Sequence, residues 1–145
     1  MGFDLYSTRD EKNVPKITID PETNKEKWYA QAKKKREYEI ENGLYFQNNV
    51  WHWRPLWSFV CQQVGCLTDK DLNAGHFNDG YEISKNKAEQ IAITLKELIK
   101  DGTIDLYKIS YDEFNKDEEH DYPFSVENVI NFANFCDKSK GFIIC

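Results

Sequence analysis

Four cysteines and three histidines are the residues of this chain best suited to chemistry, and their spacing sets what that chemistry would be. Cys61 and Cys66 stand five apart and Cys136 and Cys145 nine apart, so neither pair has the short gap of a zinc knuckle. Each pair nevertheless brackets a predicted helix end, where the chain can turn to offer both thiolates. Together the four would complete a tetrahedral structural zinc site, with His76 as a further candidate ligand. The competing reading is that the thiols are small buried hydrophobes, since Cys61 falls in line with the apolar face of its helix. In a reducing compartment they are free or metal-bound rather than disulfide-paired.

A nucleophile and base can be drawn from Cys61 with His52 or His76, but no oxyanion donor or local signature accompanies them. Metal-dependent or nucleotide-handling chemistry would have to use His76, Asp79 and nearby cysteines. There is no Walker-type loop, no dinucleotide glycine pattern and no HExxH. HFNDG at 76–80 fails as a calcium loop because Gly75 and Phe77 occupy two of the positions that need oxygen ligands. His120 sits in an acidic run and is no site candidate. On residues alone, the chain reads as a protein without enzymatic activity.

The elements that must position these groups follow from periodicity and caps. With 145 residues, 40% apolar content and 14% aromatics, one domain with one core is expected over the whole length. Its class is α+β: predominantly helical, about four helices with a few short strands. Phe3 and Leu5 alternate as a short strand does, as do Ile17 and Ile19, and the polar segment around 7–15 between them is expected to be mobile. Asp20-Pro21 reads as a helix start and Gly43 as its stop. Tyr45 to Cys66 holds three of the four tryptophans. There Pro55 would open a helix burying Leu56, Phe59 and Val60, with the three indoles anchoring the core and Arg54 stacked on one or paired with an acid.

Thr68 to Gly75 reads as a capped short helix with Asp71 at its third position. Ser84 to Gly102 is the clearest helix, with Ala88, Ile91, Ala92, Leu95, Leu98 and Ile99 in one stripe. Residues 104–114 fit either a strand or a helix lined by Leu106, Ile109 and Phe114. Ser125 caps a last helix whose inward stripe is Val129, Phe132, Ala133 and Cys136, and the tail GFIIC is an extended segment that docks.

Charge is the other localised signal. The net −6 comes entirely from 101–122, where eight acids face two lysines, while the rest of the chain is balanced. This acidic loop, centred on 112–122, repels phosphate, so direct nucleic-acid binding is not expected and a basic partner surface is favoured. The plainer alternative is a solvated loop. No apolar run approaches the roughly 20 residues that span a bilayer, and no signal pattern opens the chain, so a cytoplasmic location is expected.

MGFDLY, NNVWHWRPLW with the cysteine that follows, NDG before a capped helix, and YPFSVENVINFANFCDKSKGFIIC together resemble a family of small bacteriophage and prophage proteins without an established activity. His52 stands where a third consecutive Trp is common in that family, and 105–121 lacks a cysteine-rich insert of zinc-ribbon type. The resemblance implies a phage accessory product in the host bacterial cytoplasm, similar to an anti-CRISPR. Such a protein would bind a basic surface of a CRISPR nuclease such as Cas9 and block DNA loading. Asp112, Glu113, Asp117, Glu118, Glu119 and Asp121 would steer that encounter, and Tyr107, Tyr111 and Phe114 would anchor it. The alternatives are a zinc-containing phage accessory enzyme or nucleotide-handling protein, and a structural or regulatory phage protein.

Overall fold

The computed structural model describes residues 2–116 and 122–145, and among these the chain forms six helices and one four-stranded antiparallel sheet. Phe3 and Leu5, both fully buried, put the inward face on β1 (Gly2–Ser7). A second strand at 16–20 does not form. That stretch is irregular, and its Thr18 and Ile19 amides donate to Gln31 Oε1 instead of to a neighbouring strand. Asp20-Pro21 likewise makes a turn, with Asp20 O accepting from the Thr23 and Asn24 amides. Helix α1 (Lys25–Glu41) starts later, where the Asn24 side chain accepts from Lys27 N. No residue of α1 is fully buried.

The strand that sequence missed is β2 (Tyr45–Asn49), paired along β1. Asn49 then caps α2 (Val50–Gln63), so Pro55 lies inside the helix rather than at its start. Its ring leaves the Trp51 carbonyl without the usual amide one turn on. The cost is tolerated because α2 buries seven residues, among them Trp53, Leu56, Trp57, Phe59 and Val60. Trp53 and Trp57 are one turn apart, stack with centroids 5.3 Å from each other, and meet Phe132 edge-on. Each indole removes about 150–250 Å² from water. Trp51, expected in the core, is 48% exposed and packs against Tyr122.

The indole N–H groups find carbonyls in α3 (Asp69–Gly75). Trp53 donates to Gly75 O at 2.8 Å and Trp57 to Asp71 O at 3.1 Å. A side chain at Gly75 would overlap the Trp57 ring, so glycine is needed there for close approach. β3 (Tyr81–Ile83) follows, then α4 (Lys85–Lys100), capped by Ser84 as its sequence predicts and burying Ala88, Ile91, Ala92 and Leu95. Gly102, at φ +84°, turns the chain into α5 (Thr103–Asn115). The open choice at 104–114 is thus settled as helix, and 112–115 is its last turn rather than loop. α6 (Val126–Ser139), capped by Ser125, packs along α4 and buries Val129, Phe132, Ala133, Phe135 and Cys136.

The tail docks as β4 (Phe142–Ile144), between β1 and β3 in the order β2-β1-β4-β3. A three-residue strand thereby closes the sheet over the tryptophan core. At the end of β1, Ser7 Oγ donates to Ser139 O, and two residues on Arg9 Nη2 donates to Asn42 O.

Candidate functional site

The outward face of α5 is the most unusual surface of the molecule. Ile104 is buried, and Tyr107 and Tyr111, three and seven residues on, share its side of the helix. Tyr107 packs on Phe59 at 4.4 Å and on Phe124 at 4.7 Å between centroids, and burial raises its phenol pKa. Tyr111 stacks near Phe124 and donates its hydroxyl to Tyr122 O. The two tyrosines read as exposed anchors therefore attach α5 to the core.

What α5 exposes instead is Leu106 and Ile109, each 66% exposed, and Phe114 at 82%. Leu106, Ile109 and Glu113 are three and four apart and form one stripe, flanked by Asp105 and Asp112 on one side and Phe114 on the other. The alternative stripe of Leu106, Ile109 and Phe114 was the one sequence offered for the buried side. Of the two, Ile104, Tyr107 and Tyr111 keep the three-and-four spacing of one face, and packing on Phe59 and Phe124 turns that line in.

Asp112 pairs with Lys108 and Glu113 with Lys116, each at 2.7 Å and each in solvent. Exposed pairs of this kind hold the carboxylates weakly, at about 0.3–0.5 kcal/mol. The remaining acids of the predicted steering set, Asp117, Glu118, Glu119 and Asp121, lie outside the described residues.

The predicted metal ligands are spread across the fold. Cys136 is enclosed in α6, where burial pushes its thiol well up, and Cys66 is exposed beyond α2. Cys145 is half-buried beyond β4. Cys61 shares a cleft of about 450 Å³ with His76, Ser58 and Thr68, and there burial raises its thiol to about 12. Among the described residues, no group of three or more His, Cys, Asp or Glu side chains is placed to hold a metal ion.

That cleft also brings Ser58 Oγ within 3.4 Å of His76 Nε2. Burial, then the neighbouring Arg54, lowers the His76 pKa, so the imidazole is neutral at pH 7. Its Nδ1 is enclosed with no hydrogen-bond partner among the described residues, and burial keeps the Cys61 thiol protonated. His52 is occupied at the α2 cap with Asn49 Oδ1 at 2.9 Å, and Asp79 is exposed in the turn before β3. Arg54 makes neither predicted contact: its Nε is buried and unpaired among the described residues.

Asp71, read only as a helix-start acid, proves to be a structural hub. It is buried, completes a capping box with Thr68, and accepts from Tyr81 Oη at 2.6 Å and Lys87 Nζ at 2.7 Å. Burial alone would raise its pKa, but these donors outweigh that and hold it at about 2. One carboxylate thereby links α3, β3 and α4.

Compared with known proteins, the chain matches no family model, and neither a curated protein nor a solved structure matches it significantly. Among the described residues, no helix is long and apolar enough to cross a membrane.

Proposed function

We propose that this protein is a non-catalytic binding module that docks the outer face of α5 on a cationic, partly apolar surface of another macromolecule. The observation that carries this is the exposure of Leu106, Ile109 and Phe114 beside Asp105, Asp112 and Glu113 on one rigid helix. Contiguous apolar side chains rimmed by charge mark interaction sites, and buried anchors hold a complex once it forms. Acids around them speed encounter with a basic surface and repel phosphate.

Together with the resemblance to phage proteins, the finer reading is a host-defence inhibitor. In it, α5 occupies a basic nucleic-acid channel of a CRISPR nuclease of Cas9 type and blocks DNA loading without itself contacting nucleic acid. The four acids at 117–121 would extend the same charge along the chain.

The test is a titration of purified protein into a Cas9-type nuclease, with DNA loading read by mobility shift at two salt concentrations. Inhibition should saturate at a fixed stoichiometry, weaken with salt, and weaken at least tenfold in Ile109→Asp. Undiminished loading in stoichiometric excess would overturn the inhibitor reading. An Ile109→Asp variant as potent as the parent would overturn the assignment to α5.

A further inference from the structure

A groove of about 540 Å³ runs between α1 and α6 over β2. Its floor is apolar where Phe46 and Phe135 line it, with Ile40 on the α1 wall and the Tyr45 ring beneath Arg36. Polar groups line the rim: Arg36 from α1, and Asn131, Asn134 and Lys138 from successive turns of α6. Two cations and a single acid, Glu41, leave the groove positive on a protein whose net charge is −6.

The Arg36 guanidinium lies 3.5 Å above the centre of the Tyr45 ring, and the Tyr45 hydroxyl donates away from the groove to Asp4. Arg36 makes no ion pair among the described residues, and its Nη1 is enclosed without a hydrogen bond. A guanidinium nitrogen left so is costly unless an acceptor arrives. The side chains of Asn131 and Asn134 are exposed at the rim, free of hydrogen bonds to other described residues. Lys138 Nζ donates to Glu41 O at 2.8 Å, closing one end of the groove and tying α6 to the last turn of α1.

The weak attachment of α1 points the same way. A 17-residue helix with no buried residue contributes little apolar packing and holds its place through polar contacts, at Gln31 and at its C-terminal end. Mixed apolar and polar lining, unspent donors and a volume within about 300–1,000 Å³ are the marks of a small-molecule site.

We infer that the α1–α6 groove binds a small organic anion with a planar apolar body, its carboxylate or phosphate held by Arg36 and Lys138 and its body lying against Ile40, Phe46 and Phe135. Asn131 and Asn134 supply donors and acceptors to the ligand's remaining polar atoms. The site is independent of the α5 face, so either can fail without the other.

Three probes with one body separate the possibilities: naphthalene-1-acetate, 1-naphthyl phosphate and the neutral naphthalene-1-methanol. Each is titrated into the full chain while the side-chain amide resonances of Asn131 and Asn134 are followed by NMR. At least one anion should bind saturably, shift both amides, and exceed the neutral alcohol at least tenfold in affinity, the tighter anion identifying the head group. Arg36→Gln, or Lys138→Gln at its more exposed position, should remove most of that preference while the amide spectrum remains that of a folded chain. The inference is overturned by an absence of saturable binding, by shifts that spare both amides, by equal affinity for the alcohol, or by both variants leaving the anion preference intact.

Discussion

Helices α2 and α5 are both rich in aromatic and aliphatic residues, yet α2 buries seven of its residues and α5 only Ile104. The difference is one of place. α2 is wedged between sheet, α3, α4 and α6, and even its indole N–H groups are satisfied inside. α5 touches the body along the Ile104–Tyr107–Tyr111 line and leaves an equally apolar line in water. Apolar content therefore measures the capacity to be buried, and the neighbours determine whether that capacity is used within the chain or remains for a partner.

The comparison breaks most sharply at the tryptophans. Trp57→Ala should cost about 3–5 kcal/mol, because it opens a cavity beside Trp53 and Phe132 and strands carbonyls of α3. Denaturant unfolding followed by circular dichroism checks it, and a loss under about 1 kcal/mol would place the core elsewhere. Next in size is the Asp71 hub. Asp71→Asn should cost about 2–4 kcal/mol by weakening the bonds to Lys87 and Tyr81.

Its pH signature follows from the lowered carboxyl pKa. The contribution of the charged form is complete above the ordinary value of 3.8 and is lost as pH falls through about 2. The parent should therefore lose stability between about pH 4 and 2 more steeply than Asp71→Asn. Parallel acid-unfolding slopes would remove the carboxylate from the account.

The α5 face sharpens the same contrast from the other side. Leu106→Ser and Phe114→Ser should change stability by no more than about 0.5 kcal/mol, a small fraction of the Trp57 effect, while abolishing partner binding. A large loss of stability would show that the stripe is packed after all. Smallest of all, Lys108→Ala should remove an exposed pair worth about 0.3–0.5 kcal/mol and, by freeing Asp112, slightly tighten binding to a cationic partner.

Much of the framework was legible because it is local. Ser84 and Ser125 as caps, the Thr68–Asp71 capping box, the α4 and α6 stripes and the extended tail all follow from residues within a few positions of one another. Strand β2 was missed because Tyr45 to Asn49 has little alternation, and it is a strand only because β1 lies beside it. Pro55 misled for a similar reason: its fixed φ suits a helix start, but Asn49 offers a cap six residues earlier.

By itself, the sequence determined where α3, α4 and α6 begin, that tryptophans would dominate one core, and that excess negative charge would sit in one segment. Tertiary structure alone decided which stripe of α5 faces outward, that Asp71 joins three elements, and that Arg36 and Lys138 face a common groove. Caps and periodicity act over one or two turns, where the chain itself sets the distances. Which of two helix faces is buried, and which distant charges become neighbours, depends on surfaces contributed by residues far away in the chain.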